Sequence, residues 1–220
     1  MAALAFIWDM DGTLVDSYRA IVPNVRAVLA ERGIEIDGKA LYAETIRSSV
    51  AALLERIAAE HGIDPAPLKA DFSRLNDTNI SAIRPMPHCA QTLEALQRAG
   101  HRSFIYTHRG ASCAAILEQC GLTPWFTEAV TALYGFARKP EPDGIRYLMD
   151  KYGLDASRCY YVGDRQLDVE AAQRAGIGSI LLLDPDSPGS SDGSEDYLVR
   201  SLAEIPALAE RLCLVNALHT

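Results

Sequence analysis

The chain has 220 residues, 49% of them hydrophobic, which is enough for a sizeable core in one domain or in one domain with an insertion. Its 21 basic and 29 acidic residues give a net charge of −8, and neither sign forms a long run. This pattern disfavours nucleic-acid and membrane-surface partners. An acidic protein still binds a small phosphate where a metal and local cations reverse the field.

The five cysteines are odd in number, form no C-x-x-C pair and lie in apolar stretches. We therefore expect reduced core thiols and a cytoplasmic location. The N-terminal residues lack the basic and apolar regions of a secretory signal, and no apolar run is long enough for a membrane span, so we expect a soluble protein that is not exported. No feature of the sequence specifies an oligomeric state.

A buried strand is predicted over residues 4–8, and a helical pattern follows it. Ser17 is the predicted N-cap of a helix that continues to Gly33. A second helical pattern covers residues 40–59, and a third helix begins after Asp64-Pro65. No convincing strand occurs from residue 17 to residue 83.

The rest of the chain alternates between helices and strands. Helices are predicted over residues 87–99, 111–120, 142–152 and 166–175, and strands over residues 102–106, 129–132, 159–162 and 179–183. Four of the helices should end at left-handed glycine caps, at Gly100, Gly121, Gly153 and Gly176. This alternation indicates a parallel sheet covered by helices on both faces.

The C-terminal part is predicted to contain a mobile loop over residues 184–196, rich in Pro, Ser, Gly and Asp. A last short strand over residues 197–199 follows it. Ser201 and Glu204 have the spacing of a capping box, which predicts a terminal helix.

Ligands of open α/β sheets bind beyond the carboxyl ends of the strands, so the polar residues at those positions are the candidate site. Four strands supply them: Asp9 and Asp11 after the first, Thr107 after the second, Lys139 near the third, and Asp164 with Asp168 after the fourth.

Asp9 is the candidate nucleophile, because a carboxylate can take a phosphoryl group and form an acyl phosphate. Asp11 is the candidate general acid and base. We expect a metal and Lys139 to keep Asp9 ionised, whereas Asp11, farther from those charges, can carry a proton.

Gly12 and Thr13 suit a tight turn whose N–H groups point at phosphate oxygens, although Asp11-Gly12-Thr13 alone is equally typical of an ordinary turn. The Thr107 hydroxyl and the His108 N–H are further candidates for binding a phosphate oxygen, and a threonine at a strand end is more often structural.

Lys139 is the candidate cation for both Asp9 and a transferring phosphoryl group. Arg138 is its rival, and we favour Lys139 because the pre-proline position has an extended backbone. Asp164 and Asp168 suit Mg²⁺, which prefers hard oxygen ligands. They also suit an N-cap and a first-turn acid of the following helix, and the two interpretations are compatible.

These motifs, in this order, resemble those of the haloacid dehalogenase superfamily of aspartate-nucleophile hydrolases. Residues 9–17 resemble its first motif, Thr107 its second, Lys139-Pro140 its third, and Gly163-Asp164 with Asp168 its fourth. The resemblance implies a Rossmann-like three-layer sandwich formed by residues 1–16 and 84–220. It also implies an inserted helical cap domain over residues 17–83, similar to that of phosphoglycolate phosphatases and β-phosphoglucomutases.

The same resemblance implies that Mg²⁺ is held by the Asp9 carboxylate, the Asp11 carbonyl and Asp164, with Asp168 either a ligand or one step removed. Thr107 and Lys139 would hold the phosphate. In place of the asparagine that often continues the second motif, this chain has His108-Arg109. Arg109 is then either a contact for an anionic substrate or a solvent-facing arginine at a helix start.

The function implied is a Mg²⁺-dependent phosphatase that hydrolyses a small phosphorylated metabolite through an aspartyl phosphate. Asp11 argues against dehalogenation, since expelling a halide needs no proton. One alternative is a phosphoglucomutase-type transfer, which shares every core residue. The other is a non-catalytic binding or regulatory protein of the same fold.

Overall fold

The structure is a computed structural model that describes residues 3–185 and 187–217. The chain separates into two compact units: Ser17–Arg84 form a helical unit, and the described residues on either side of that segment form an α/β unit. Within these described ranges no helix is long and apolar enough to cross a membrane.

The strands described in the structure are mostly short. They are β1 Ala5–Trp8, β2 Val15–Asp16, β3 Arg84–Pro85, β4 Arg102–Tyr106, β5 Ala129–Val130, β6 Cys159–Gly163, β7 Gly178–Leu182 and β8 Tyr197–Val199. Six of them form one sheet in the order β5-β4-β1-β6-β7-β8, and every neighbouring pair is parallel. The first strand of the chain is therefore central, between β4 and β6.

The α-helices of the described ranges are α1 Tyr18–Ala30, α2 Gly38–Arg47, α3 Val50–His61, α4 Pro65–Thr78, α5 Cys89–Arg98, α6 Cys113–Gln119, α7 Asp143–Tyr152, α8 Gln166–Ala175 and α9 Ile205–Ala217. The first four make up the helical unit, and the other five belong to the α/β unit.

The core of the α/β unit is built from alternate residues of the central strands. Ile7 of β1 lies opposite Phe104 of β4 and Tyr161 of β6, and these side chains pack with Ile145 of α7 and Ala172 of α8. Neighbouring residues along a strand point to opposite faces. The architecture is thus the Rossmann-like α/β fold expected from the sequence, and that prediction is confirmed.

Most element bounds agree with the sequence prediction to within two residues. Strands β4 and β8 and helix α8 have the predicted bounds. The four predicted glycine caps have positive φ angles, at Gly100 (84°), Gly121 (67°), Gly153 (59°) and Gly176 (76°). Glycine adopts this region without the steric cost of a Cβ, which is why it fixes these helix ends so clearly in the sequence.

The helical unit has its own apolar core, to which all four of its helices contribute. The continuous helix expected over residues 40–59 is wrong, because the chain is extended at Ser48 and Ser49, and α3 begins after them. The Ser49 hydroxyl accepts a hydrogen bond from Ala52 N–H at 3.1 Å, an interaction that favours a helix start over helix continuation.

The other predicted caps give mixed results. Asp64 caps α4 as expected, through a hydrogen bond from Ala66 N–H to its carboxylate. Ser17 stands at the N-cap of α1 without a side-chain capping hydrogen bond. Ser201 caps a short 3₁₀ turn, Leu202–Glu204, that precedes α9. The Glu204 carboxylate accepts from Arg200 N–H, so the predicted capping box is displaced by one residue.

Two expectations are only partly addressed by the structure. The mobile loop predicted over residues 184–196 includes Asp186, which lies outside the described residues.

The five cysteines form no disulfide; four of them are buried and Cys120 is half-buried. The cytoplasmic location expected from them stays a prediction.

Candidate active site

The predicted site residues converge at the carboxyl ends of three adjacent strands. Asp9 follows β1, Thr107 follows β4 and Asp164 follows β6. Because these strands are parallel neighbours, the loops at their carboxyl ends meet at one edge of the sheet. Asp9 is fixed there by its own N–H, which donates to the Val162 carbonyl at 2.8 Å.

A buried lysine links two aspartates at the centre of this site. The Lys139 ammonium lies 2.9 Å from Asp9 Oδ1 and 2.6 Å from Asp168 Oδ1. The ammonium also donates to the Tyr161 hydroxyl at 3.0 Å, and that hydroxyl donates to the Tyr106 carbonyl at 2.7 Å. Lys139, rather than the exposed Arg138, thus occupies the central position, as the sequence analysis favoured.

The protonation of Lys139 follows from its two anionic neighbours. Burial alone would lower the pKa of the Lys139 ammonium, but the carboxylates of Asp168 and Asp9 outweigh that effect, and the net pKa is raised. A charged ammonium is therefore kept in a site where its side chain has no exposed surface.

Three carboxylates could together accept a metal ion. One oxygen each from Asp9, Asp164 and Asp168 lie within 4.8 Å of one another, and all three residues are buried. The second carboxylate oxygen of Asp9 is buried and has no hydrogen-bond partner among the described residues. Burial raises the pKa of Asp164 to about 7, because the loss of hydration outweighs the opposing charges of Arg165 and Lys139. Hard oxygen donors in this arrangement fit Mg²⁺.

Asp168 has a structural task as well. One of its oxygens binds Lys139, and the other accepts from the Arg165 N–H at 3.2 Å, at the start of α8. Gly163 permits this arrangement, because a Cβ there would lie 2.4 Å from the Asp168 side chain. The interpretation of Asp168 as a first-turn acid is confirmed. That of Asp164 as the N-cap is wrong, since Arg165 occupies this position.

The turn after Asp9 has the expected shape. Gly12 has a φ of 84°, which explains the glycine. Its N–H donates to the Val15 carbonyl at 2.9 Å, and the Thr13 N–H donates to the Met10 carbonyl at 3.3 Å. Both N–H groups thus donate to carbonyls inside the turn, and a contact of Gly12 with a phosphate stays a prediction. The Thr13 hydroxyl instead donates to Asp164 at 3.3 Å.

Asp11 is paired with an arginine. The Arg109 Nε lies 2.9 and 3.1 Å from the two carboxylate oxygens of Asp11, and its Nη2 lies 2.6 Å from the first of them. The Arg109 side chain is fully buried, so its interpretation as a solvent-facing arginine is wrong. Arg109 is thus a cation beside Asp11 that was not predicted, and the greater distance of Asp11 from the metal and Lys139 stays a prediction.

Thr107 and His108 lie where β4 ends. Thr107 is buried, and its hydroxyl accepts from the Arg109 N–H at 3.1 Å. The His108 ring accepts from the Lys139 N–H at 2.6 Å, so it supports the segment that carries the central lysine. Burial, with help from the charges of Lys139 and Arg138, lowers the pKa of His108 to about 2, and the ring is neutral.

Tyr161 and the pairing of Arg109 with Asp11 were not predicted from the sequence. Both had a usable signal. A tyrosine inside a fully buried strand needs a partner for its hydroxyl. An arginine two residues after Thr107 lies beside the loop of Asp9 and Asp11 once β4 and β1 are neighbours, and guanidinium and carboxylate groups form bidentate pairs.

The family profile of haloacid dehalogenase-like hydrolases matches residues 6–182 of this chain. The matched segment includes every residue of the site described above. The chain therefore belongs to the haloacid dehalogenase-like hydrolases.

Individual relatives support this assignment. A curated phosphoglycolate phosphatase of Cupriavidus necator is 30% identical over 214 residues, covering 93% of this chain and 92% of the relative. The crystal structure of a predicted phosphoglycolate phosphatase from Haemophilus somnus has the same fold, with a TM-score of 0.80 at 23% identity over 94% of this chain and 97% of that one. A hydrolase of this family from Deinococcus radiodurans, solved with bound phosphate and sodium, is 25% identical, with a TM-score of 0.74 over 94% and 96% of the two chains.

Proposed function

We propose that the protein is a Mg²⁺-dependent phosphatase that hydrolyses a small phosphorylated metabolite of the phosphoglycolate type through an aspartyl phosphate on Asp9. The observation that carries the proposal is the state of the Asp9 carboxylate. One oxygen is held by the Lys139 ammonium at 2.9 Å, and the other forms no hydrogen bond within the described residues and lies 3.8 Å from the Arg165 guanidinium. A buried carboxylate that has an ammonium beside one oxygen and no hydrogen bond on the other is suited to attack phosphorus.

In the first step an oxygen of Asp9 attacks the phosphorus atom, and the bond between phosphorus and the ester oxygen breaks. Asp11 gives its proton to the departing oxygen, so that an alcohol leaves. In the second step a water molecule attacks the phosphoryl group and gives a proton to Asp11. The bond between phosphorus and Asp9 breaks, and inorganic phosphate is released.

Lys139 neutralises charge on Asp9 and on the transferring phosphoryl oxygens throughout. Thr107, which is buried at the end of β4, supplies a hydroxyl for a phosphoryl oxygen. Mg²⁺ would be held by Asp9 and Asp164, with the Asp11 carbonyl, while Asp168 keeps Lys139 in place. When bound, the ion would neutralise further negative charge on the phosphoryl group.

The substrate class is supported by the relatives, which carry the name phosphoglycolate phosphatase at 28–30% identity. We assign residues 17–83 the role of a cap domain, in line with the compact helical unit that they form. Asp11 supports a phosphate ester rather than a halide as the substrate, since an alkoxide needs a proton and a halide does not.

The test is a phosphate-release assay with phosphoglycolate, sugar phosphates, nucleotides and an aryl phosphate, with and without Mg²⁺. We expect Mg²⁺-dependent release that is fastest with phosphoglycolate and is abolished in Asp9→Asn. An Asp155→Asn variant, which changes an exposed acid of the same unit, should retain full activity. Isomerisation of a sugar phosphate without phosphate release would instead identify a mutase, and full activity of Asp9→Asn would show that another residue is the nucleophile.

A further inference from the structure

We propose that Arg109 is a positioning residue that fixes the proton-transferring carboxylate of Asp11. The inference rests on the proposed function, because it assigns Arg109 a part in the proton transfer that a phosphatase needs.

The first observation is the geometry of the pair. Arg109 contacts both carboxylate oxygens of Asp11, at 2.9 and 3.1 Å from Nε and at 2.6 Å from Nη2. Contacts from two donors to both oxygens restrict rotation of the carboxylate about its Cβ–Cγ bond, which a single contact does not. The side chain of Asp11 is 20% exposed, so without the guanidinium it has room to turn.

The second observation is how firmly Arg109 itself is held. Its Nη1 donates to the Ser112 hydroxyl at 3.2 Å. Its backbone N–H donates to the Thr107 hydroxyl at 3.1 Å, and its carbonyl accepts from Ala132 N–H at 3.0 Å. The backbone of Arg109 is therefore held by the segments that follow β4 and β5, and Ser112 holds the guanidinium, which presents its other donors to Asp11.

The third observation decides between positioning and substrate binding. The Arg109 side chain has no exposed surface, and its donors are directed at Asp11 and Ser112. A substrate anion would have to compete with the Asp11 carboxylate for the Nε and Nη2 donors. Arg109 thus acts on the reaction through Asp11 and not by direct contact with the substrate.

The consequence depends on the leaving group. An alkoxide is a strong base and must be protonated as it departs, whereas a dinitrophenolate departs without a proton. Misplacing the carboxylate that carries the proton should therefore slow the hydrolysis of alkyl phosphates. The hydrolysis of activated aryl phosphates should be almost unaffected. A purely structural loss would slow both classes equally.

The experiment compares wild type, Arg109→Met, Asp11→Asn and the double variant by kcat/KM, which includes only steps up to the first irreversible one. The probes are phosphoglycolate and 2,4-dinitrophenyl phosphate. We expect Arg109→Met to lower kcat/KM for phosphoglycolate about 10- to 100-fold. The same substitution should lower kcat/KM for 2,4-dinitrophenyl phosphate less than about threefold. In the Asp11→Asn background, Arg109→Met should cause no further loss of kcat/KM for phosphoglycolate.

Arg102→Met is the matched control, because Arg102 begins β4 at the end opposite to the loop that carries Arg109. It should not change the ratio of the two kcat/KM values. An equal loss for both probes in Arg109→Met, or the same factor of loss in the Asp11→Asn background, would overturn the proposal. A raised KM for phosphoglycolate at unchanged kcat would also overturn it, since it would show direct substrate binding. An inactive wild type would instead refute the proposed function.

Discussion

The Lys139 ammonium lies 2.9 Å from the Asp9 carboxylate, and neither side chain is more than 2% exposed. An ion pair removed from water to this degree is weak evidence for stability, because desolvation offsets much of the attraction between its members. Its value here is chemical, since it places an ammonium beside the buried carboxylate at the site where phosphorus would bind. This arrangement leads to several expectations about variants of the site.

Lys139→Met should impair both catalysis and stability. The substitution leaves Asp9 and Asp168 buried without their common counter-ion. We expect turnover to fall about 10²- to 10³-fold and the free energy of unfolding without Mg²⁺ to fall by about 3–5 kcal/mol. Urea unfolding followed by tryptophan fluorescence reports the unfolding of the α/β unit, because this unit contains both tryptophans, Trp8 and Trp125. The exposed Lys39 gives the control, Lys39→Met, and an equal effect of the two substitutions would contradict the expectation.

Gly163→Ala should disturb the site without removing any functional group. The added Cβ would lie 2.4 Å from Cβ, Cγ and Oδ2 of Asp168, so that side chain must move away from Lys139. We expect a loss of about 1–3 kcal/mol in stability and about 10²-fold in turnover. Gly110→Ala is the control, because open space surrounds the position of its Cβ. Wild-type stability and activity of Gly163→Ala would show that Asp168 is not fixed as described.

Asp164→Asn should remove the stabilisation of the protein by Mg²⁺. Wild type should gain about 2.7 kcal/mol at an Mg²⁺ concentration of about 100 times its Kd. The variant should not respond, and it should be at least as stable as wild type without the metal, because burial raises the pKa of Asp164 to about 7 and its charge is costly. Thermal unfolding with and without Mg²⁺ provides the measurement. An undiminished Mg²⁺ response in Asp164→Asn would remove Asp164 from the metal site.

His108→Gln should make the protein less sensitive to acid. The pKa of His108 is about 2 in the folded protein and about 6.5 in the unfolded chain, mainly because of burial. Between these values the unfolded chain binds more protons, so wild type loses stability as the pH falls below 6.5. The loss amounts to about 2 kcal/mol at about pH 5. Glutamine keeps an acceptor for the Lys139 N–H.

The comparison isolates His108 because other groups contribute equally to both proteins. Asp164, whose pKa is raised, has the opposite sign: its contribution decreases as the pH rises from about 4 to about 7. It cancels in the difference between wild type and His108→Gln. Urea unfolding at several pH values should show that wild type loses stability relative to His108→Gln as the pH falls below 6.5, and a constant difference between the two would show that His108 does not remain neutral in the folded protein.

The sequence specifies the fold well because its signals are local. Strand and helix periodicities and left-handed glycines such as Gly153 and Gly176 mark the elements independently of their neighbours. The break in the helical unit was not predicted, because Ser48 and Ser49 are compatible with a continuous helix until the Ser49 hydroxyl bonds to Ala52 N–H.

The candidate site could be predicted as a set of residues but not as a set of contacts. Asp9, Lys139 and Asp168 are recognisable by their positions after strands, and the structure brings them together. The pairing of Arg109 with Asp11 depends on β4 lying next to β1, which is a property of sheet order and not of either segment. Local sequence likewise does not show that the turn uses its own N–H donors.

Phosphorylation of Asp9 is the most direct test of the account. Enzyme, phosphoglycolate and Mg²⁺ would be mixed and quenched in acid within a single turnover, and the peptides mapped by mass spectrometry. We expect a phosphoryl group on Asp9 that forms before free phosphate is released and that is absent from Asp9→Asn. Release of phosphate in a single turnover without phosphorylated Asp9, or with the phosphoryl group on another residue, would contradict it.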